Sequence, residues 1–394
     1  MCVREAIKDN DAFKELAKVY QQKENAIEKY KKAGKKVVGY LGNDVPDELL
    51  IAADYLPVRI SGNCKITLVE ADKYLEYSFD PVVRSQFQKI VDGSLYALMD
   101  HLVISNSTDV LIRLYYYLRE IRRIEPEKPI PPIYFLDMLF TRTRTHQVYN
   151  FNRMNKFKKT IETWIGKDIT EKDLKKSIDI CNENRDLLRQ IEELRICDKP
   201  RITGMEALHL IGSSMYMPKQ EHSLLLKQFL ESHKELPDVS GKRIFVTGSV
   251  HEDISFYELV ERAGAVIVAE DHDMGNRYFD KNVETDSDLL HSIVNRYMLR
   301  MFSPKKAFVS QRVAALKEQI ERTKPDGVIF FMRQYDDPSS WDYPEQAKML
   351  KELNIPSLLL VRQPHDLSKA DGLKEKVEAF ISALDQEKGG CKNE

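Results

Sequence analysis

The feature of this sequence that most constrains its fold is a pattern that occurs twice, once in each half of the chain. Residues 41–60 read LGNDVPDELLIAADYLPVRI, and residues 247–268 read TGSVHEDISFYELVERAGAVIV. Each stretch leaves a short apolar run through a glycine and a polar loop, enters a helix and ends in a second apolar run. Apolar runs of strand length that alternate with helices predict a parallel α/β sheet. The repetition therefore predicts two similarly wound lobes that face one another.

The rest of the chain is organised around these two units. We predict an N-terminal helical segment of one or two helices in residues 1–35, a first α/β lobe in 36–149, a helical connector in 150–238, a second α/β lobe in 239–386 and a flexible tail in 387–394. The connector prediction rests on apolar residues at helical spacing and on the lack of strand-like runs. The predicted fold class is thus α/β, with two Rossmann-like or flavodoxin-like parallel-sheet lobes and a central helical insert.

Charge and composition exclude several classes of partner. Lys+Arg 60 against Asp+Glu 62 leaves a net charge of −2, which gives no electrostatic reason to expect nucleic acid or an anionic membrane. No apolar run approaches the roughly 18 residues that span a bilayer, and the start lacks a signal peptide's apolar stretch, so we expect a cytoplasmic protein. The five cysteines share no CxxC-type spacing, which indicates free thiols rather than a zinc site or disulfides; they are Cys2, Cys64, Cys181, Cys197 and Cys391.

The loops at the predicted strand ends are where a site is expected, because ligands of open α/β sheets bind beyond the carboxyl ends of the strands. One of these loops, EDHDMGNRYFD at residues 270–280, sets acids, a histidine and an arginine around one glycine. An ordinary solvated loop is the alternative. It is not an EF-hand, since it lacks the required glycine and glutamate. The chain has no GxGxxG, GxxxxGK[ST], GxSxG or HExxH motif. The loops in question are 42–44, 61–62, 105–109, 248–251, 270–277 and 332–338.

Two further stretches resemble this loop in kind. FDPVVRS sets Asp80 four residues before Arg84, and RQYDDPSSWDYP sets Asp336 after a predicted strand. A third stretch, NSTDVLIR, places Thr108 at a predicted helix start, where capping alone explains it. Helix caps, turns and surface acids also explain the other two. Three of these four acid- or hydroxyl-bearing loops lie at predicted strand ends, which favours a shared site.

Taken together, these segments resemble the 2-hydroxyacyl-CoA dehydratase and benzoyl-CoA reductase family. FDPVVRS resembles a Cys-P-x-V-R-S element, STDVLIRLYYYL a Cys-Asp element that leads into a helix, and EDHDMGNRYFD an E-D-x-Cys-x-G-x-R-Y-F element. The resemblance runs in the same order over residues 36–384. The other segments that carry it are GYLGNDVPDELLIAADYLPVRISG, ICNENRDLLRQIEELR, ITGMEAL, DGVIFFMRQYDDPSSWDYP, and the end of the chain through IPSLLLV and VEAFISAL.

The resemblance implies a chemistry and a set of partners. In that family each of two paired subunits commonly holds a [4Fe-4S] cluster on three cysteines, and a separate ATP-dependent activator protein injects one electron. Reduction of an acyl-CoA thioester to a ketyl radical anion then acidifies a β-proton that an ordinary general base could not remove. An open iron site would act as a Lewis acid on the departing hydroxyl.

This sequence departs from the family at the cluster. The three cluster-cysteine positions hold Asp80, Thr108 and Asp273, and a further family cysteine is matched by Asp336. Because Fe–S clusters are held by thiolates and oxygen donors favour harder ions, we expect no conventional [4Fe-4S] cluster on this chain. The resemblance instead implies a cluster in a partner subunit.

Five residues are candidates for substrate binding. Arginines give bidentate contacts to carboxylates and phosphates, but a salt bridge to Asp80 or Asp271 within the chain is an equal alternative for each arginine. The acid in the first turn of the first helix could also be structural. The candidates are Glu48, Arg84, Arg113, Arg277 and Asp336.

Three functions remain open on this reasoning. The favoured one is a subunit of a dehydratase- or reductase-type complex that acts on an acyl-CoA by radical dehydration or reduction. The second is a non-catalytic paralogue that binds an acyl-CoA or only a partner. The third is an enzyme with a divalent cation at Asp80, Thr108 and Asp273. The sequence does not distinguish dehydration from ring reduction.

Overall fold

A computed structural model describes residues 4–232, 236–300, 303 and 306–389. The chain opens with three helices, where one or two were predicted. They pack their apolar faces against the connector and the first lobe, and α2 is capped by Asn10, whose side chain accepts a hydrogen bond from the Phe13 amide at 2.9 Å. These helices are α1 (Glu5–Lys8), α2 (Asp11–Gln21) and α3 (Lys23–Lys32).

The first lobe is a four-stranded sheet whose strands all run parallel, in the order β2-β1-β3-β4. Three of its strands are buried on both faces, as expected for a parallel sheet covered by helices, and the edge strand β4 is only partly buried. The strands are β1 (Lys36–Leu41), β2 (Tyr55–Arg59), β3 (His101–Ser105) and β4 (Ile133–Leu136), and the helices are α4 (Asp47–Ala52), α5 (Val69–Tyr74), α6 (Pro81–Val91) and α7 (Asp109–Ile124).

Helices alone occupy the connector in the described part of the chain. The second of them, α9, begins with a capping box formed by Thr170 and Asp173. It reaches both lobes: Arg185 pairs with Glu48 of the first lobe, and Arg195 pairs with Glu270 of the second. The four helices are α8 (Arg144–Ile165), α9 (Glu171–Ile196), α10 (Gly204–Gly212) and α11 (Lys219–Ser232).

The second lobe repeats the topology of the first, with four parallel strands in the order β6-β5-β7-β8. Its strands are β5 (Lys242–Gly248), β6 (Ala265–Asp271), β7 (Gly327–Arg333) and β8 (Ser357–Gln363). Its helices are α12 (Ser255–Arg262), α13 (Leu289–Met298), α14 (Val309–Thr323), α15 (Tyr343–Glu352) and α16 (Leu373–Gly389). The predicted α/β fold with two parallel-sheet lobes is confirmed. Helix α16 extends to Gly389, into the segment predicted as a tail, while residues 390–394 lie outside the described residues.

Two equivalent glycines show how closely the lobes correspond. Gly42 follows β1 with φ +95°, and Gly248 ends β5 with φ +117°, both in the region that favours glycine. A Cβ on Gly42 would lie 2.1 Å from the Ser105 hydroxyl, and one on Gly248 would lie 2.2 Å from the Phe331 carbonyl oxygen. In each lobe the first strand therefore turns against the end of the third strand, which brings those loops together.

No helix in the described ranges is both long and apolar enough to cross a bilayer.

Candidate functional site in the cleft between the lobes

The loops at the carboxyl ends of both sheets meet around one small cavity, which we call the central cavity. It has a volume of about 80 Å³, and residues of both lobes line it. All four positions at which the resembling family has cysteine are among them. The charged and hydroxyl side chains of its lining are Arg59, Asp80, Ser107, Thr108, Glu252, Asp273, Arg333 and Asp336.

Two of the four family cysteine positions lie in the first lobe, and the side chains at both of them cap helices. Asp80 is the N-cap of α6, and its Oδ1 accepts a hydrogen bond from the Val82 amide at 2.8 Å. Thr108 is the N-cap of α7, and its Oγ1 accepts from the Leu111 amide at 3.2 Å. Asp80 also pairs across the cleft with Arg333, whose Nη1 lies 3.6 Å from its Oδ1. Asp80 and Thr108 therefore each cap a helix and also line the shared cavity.

The acids of the loop EDHDMGNRYFD divide between the interior and the cleft because the loop continues strand β6, in which side chains alternate. Glu270 and His272 point inward: Glu270 pairs with Arg195, and His272 Nε2 lies 2.8 Å from the Tyr257 hydroxyl. Burial lowers the pKa of His272 to about 4, so its imidazole is neutral at pH 7. The other two acids, Asp271 and Asp273, lie on the cleft side, where both approach Arg277.

Asp273 is the second-lobe acid at the centre of the cleft. Its Oδ2 accepts a hydrogen bond from Asn43 Nδ2 at 2.5 Å, and Arg59 Nη1 donates to Asn43 Oδ1 at 3.0 Å. Burial opposes its charge, but neighbouring cations outweigh burial and hold the pKa of the Asp273 carboxyl well below its usual range. Those cations are Arg277, Arg59, Arg300 and Lys306. Asp273 is therefore an anion that is already neutralised by the protein.

These residues do not fit an iron–sulfur cluster. The lining of the central cavity contains no cysteine, and the cysteines within the described ranges, Cys64, Cys181 and Cys197, lie elsewhere. The oxygen atoms at the family's ligand positions accept backbone amides or face arginines, whereas such clusters need thiolate ligands. Nor does the described part of the chain hold any group of three or more His, Cys, Asp or Glu arranged for a metal ion. The divalent-cation alternative names Asp80, Thr108 and Asp273, of which only two belong to these residue types, so it stays a prediction.

A wider cavity opens next to Asp273, and we call it the wide cavity. Its volume is about 490 Å³, in the range typical of ligand sites. Aromatic and thioether side chains form its apolar walls, and four cations line it. The apolar residues are Phe140, Tyr297, Met298 and Phe308, and the cations are Arg142, Arg277, Arg300 and Lys306.

Three of those cations were not among the sequence candidates. Arg142 follows β4, a strand whose carboxyl end was not one of the loops singled out, although the same rule about strand ends applies to it. Arg300 and Lys306 follow α13 in a segment without strand or helix periodicity. Lys306 pairs with Asp44, and Arg300 Nη2 donates to the Arg277 carbonyl at 2.5 Å. Only the run of basic residues in RYMLRMFSPKK pointed to them.

The five predicted binding residues fall into different places. Arg277 lines the wide cavity. It also forms a salt bridge to Asp271, as the alternative to a binding role predicted. Asp336 lines the central cavity and, with Arg113, an outer cavity of about 590 Å³. The Arg113 guanidinium carbon lies 4.5 Å from the centroid of the Phe79 ring.

Glu48 and Arg84 lie away from these cavities and hold the fold together. Arg84 is buried, pairs with Asp72 and donates to the Leu75 and Glu76 carbonyls at 3.2 and 2.6 Å. Its ion pair is thus made within the chain, but with neither Asp80 nor Asp271. Glu48 is fully buried and pairs with Arg185. Neither geometry supports the binding roles considered for these two residues.

Comparison with known proteins gives matches along nearly the whole chain. The family model described as 2-hydroxyglutaryl-CoA dehydratase, D-component, matches residues 43–384. The chain is 24% identical over 382 residues to the (R)-phenyllactyl-CoA dehydratase beta subunit of Clostridium sporogenes. This match covers 94% of this chain and 97% of that protein. It is 24% identical over 366 residues to a benzoyl-CoA reductase subunit of Thauera aromatica, with 89% and 91% covered. It is 22% identical over 384 residues to the (R)-2-hydroxyglutaryl-CoA dehydratase beta subunit of Acidaminococcus fermentans, with 94% and 98% covered.

Proposed function

Because this chain belongs to the 2-hydroxyglutaryl-CoA dehydratase D-component family, we propose that it is one subunit of a heteromeric complex that dehydrates or reduces an acyl-CoA thioester, with the iron–sulfur cluster held by the partner subunit. The chemistry of the central cavity is the observation that supports a cluster in the partner subunit rather than in this chain. Its four family cysteine positions present carboxylates and a hydroxyl, which are poor ligands for such a cluster. A second family subunit and an ATP-dependent activator protein are the partners that this function requires.

The wide cavity supports the binding of an acyl-CoA. Its apolar walls suit an acyl or pantetheine chain, and its cations suit phosphate groups. Arg142 is exposed at the mouth, while Arg277 lies buried at the inner end beside Asp273. This gradient orients a long ligand with its phosphates outward and its thioester toward the central cavity. In this proposal the chain's own residues bind and orient the thioester and exclude water, and the partner supplies the redox chemistry.

A second candidate function is a non-catalytic paralogue that binds an acyl-CoA or only a partner. One specific observation favours it: the pairing of Asp80 with Arg333 and of Asn43 with Asp273 closes the central cavity between the lobes without any added group. A protein that only binds a ligand or a partner would need no metal centre beyond these two pairings. The two candidates differ in whether a cluster-bearing partner gains turnover from this chain.

The test is anaerobic purification of the chain alone and together with a family subunit that retains its cysteines. We expect almost no iron or acid-labile sulfide in the chain alone, a stable complex with the partner, and acyl-CoA dehydratase or reductase turnover only when both are present with the activator. About four irons per copy of this chain alone would contradict the cofactor assignment. A stable complex without turnover would favour the non-catalytic candidate.

A binding measurement tests the cleft separately. Titration calorimetry with a CoA thioester should show Arg142→Gln weakening binding by about tenfold, since one charge-assisted contact is worth on the order of 1.5 kcal/mol. The matched control is Arg123→Gln on α7, an exposed arginine paired with Glu120 and remote from the cleft. Equal affinity of both variants would place the CoA elsewhere.

A further inference from the structure

A third, much smaller cavity lies at the floor of the cleft, and we call it the floor cavity. Its volume is about 20 Å³. It shares lining residues with the wide cavity, namely Asn43, Asp273, Tyr297 and Arg300. A group bound in the floor cavity would therefore be adjacent to whatever occupies the wide cavity.

More arginines than carboxylates line the floor cavity. Four arginines and two aspartates line it: Arg59, Arg185, Arg296, Arg300, Asp47 and Asp273. Glu48 pairs with Arg185 and Asp280 with Arg296, while Lys219 and Arg277 approach the two aspartates from outside the lining. Arg277 also pairs with Asp271, and Glu252 is the acid that acts most strongly on Arg59, so the surrounding acids balance the cations. What the floor cavity offers a ligand is therefore unmet hydrogen-bonding capacity rather than net charge.

Arg296 is the cation whose hydrogen-bonding capacity is least used. It is 4% exposed, and its Nη2 donates to the Tyr278 carbonyl and to Asp280 Oδ1, each at 3.0 Å. Its Nε and Nη1 are buried and find no acceptor among the residues that the structure describes. Burial, followed by repulsion from Arg185, lowers the pKa of Arg296. Asp47 Oδ1 in the same lining is also without a partner, but it is one acceptor against two open donors. A buried guanidinium that lacks acceptors on two of its nitrogens is stabilised by an added anion.

The size of the cavity limits what that anion can be. A cavity needs roughly 10–15 Å³ to hold one water-sized group, so about 20 Å³ admits one small atom and excludes a phosphate or sulfate. We propose that the floor cavity binds a small monovalent anion, a halide, with Arg296 as its principal ligand. This site goes beyond the acyl-CoA function and does not depend on turnover.

The contacts of Arg296 explain why it would serve as a fixed ligand. Its guanidinium carbon lies 4.9 Å from the centroid of the Tyr297 ring, and Asp280 holds its outer edge. Both neighbours restrict rotation of the side chain, so the unused N–H groups are pre-organised. Pre-organised donors lose little conformational entropy when they bind a ligand.

Anion-dependent thermal unfolding of the purified chain tests this proposal. Sodium chloride and sodium formate are each titrated at constant ionic strength against sodium gluconate, whose anion is too large for the cavity. We expect a saturable rise in unfolding temperature on the order of 2 °C when the anion reaches about ten times its Kd. A rise with chloride supports the proposal, and a rise with formate alone would overturn it.

Two variants locate the effect. Arg296→Lys keeps the charge but removes the Nε and Nη1 donors, and Val45→Ile keeps every charge while its added methylene fills the cavity that Val45 lines. Both should lose the saturable rise, whereas Arg123→Gln should retain it. If Arg296→Lys does not fold, Val45→Ile alone decides the question. No difference between the small anions and gluconate, or an unchanged rise in Val45→Ile, would show that the cavity holds only water.

Discussion

The buried ion pair between the connector and the second lobe makes the most quantitative prediction. Arg195 is 0% exposed and Glu270 is 1% exposed. Arg195 Nη2 donates to Glu270 Oε1 at 2.9 Å, and Nη1 donates to Oε2. Removing one partner of such a pair leaves an uncompensated buried charge, which typically costs about 3–5 kcal/mol. Arg195→Met should therefore lower the free energy of unfolding by about that amount at pH 8.

The pH dependence of the loss gives a second check. In the native protein burial opposes the charge of Glu270, but Arg195 holds the pKa of its carboxyl below the usual value. The pair thus stabilises the fold above the unfolded-state pKa of about 4.3, and this stability is lost as the pH falls through the folded-state pKa. Without Arg195 burial opposes the charge of Glu270 with only the weaker help of His272 and of the Tyr257 hydroxyl, which donates to Oε2 at 3.2 Å. The pKa of Glu270 should therefore rise, and the carboxyl should be protonated on mild acidification. The loss caused by Arg195→Met should therefore be smaller at pH 5.5 than at pH 8.

Urea unfolding followed by circular dichroism and by intrinsic fluorescence measures these differences, and coincident transitions are required for a single free energy. The double variant Arg195→Met/Glu270→Leu removes both charges and should recover most of the stability. Arg123→Ala, which breaks an exposed pair with Glu120, should change it by less than about 1 kcal/mol. A loss below about 1 kcal/mol for Arg195→Met, or a double variant as unstable as the summed single changes, would refute the reasoning.

Three further predictions concern the cleft and the core. Asp273→Asn should flatten the fall in stability below about pH 4, because the depressed pKa of Asp273 contributes stability only while the carboxylate is charged; acid titration of the unfolding midpoint measures it. Burial lowers the pKa of His209 to about 4, so the unfolded chain takes up the proton first as the pH falls. The free energy of unfolding should therefore fall as the pH drops from about 6.5 toward 4. His209→Gln should reduce this pH dependence in the same urea series. Gly248→Ala should cost more than about 2 kcal/mol, because it adds a clash with the Phe331 carbonyl to the strain of a positive φ; Gly34→Ala, with positive φ but open space, should cost about 1 kcal/mol.

The fold was predictable because its signals are local and repeated. The glycines at 42 and 248, and the strand and helix patterns that follow them, are visible in short windows, and the same strand order appears in both sheets. What short windows do not contain is the pairing of Arg195 with Glu270, since it joins residues far apart in the chain. The reach of α9 across both lobes therefore emerges only from the three-dimensional structure.

The candidate site was predictable in its position but not in its detail. Asp80, Thr108 and Asp273 lie on one cavity because parallel strands place their carboxyl ends at one edge of a sheet. A sequence cannot separate a cap from a ligand, because the same short polar side chains serve both purposes. Two cations of the wide cavity, Arg300 and Lys306, were missed because they lie in an irregular segment that leaves no periodic pattern.

The pairing of Asp80 with Arg333 and of Asn43 with Asp273 has a consequence for how this chain matures. Guanidinium, amide and carboxylate groups are indifferent to dioxygen, whereas thiolate-bound iron is readily degraded by it. In the function proposed above, the union of the two halves of the molecule thus needs no assembly factor to deliver an inorganic centre, and it should survive handling in air that would ruin a sulfur-ligated counterpart.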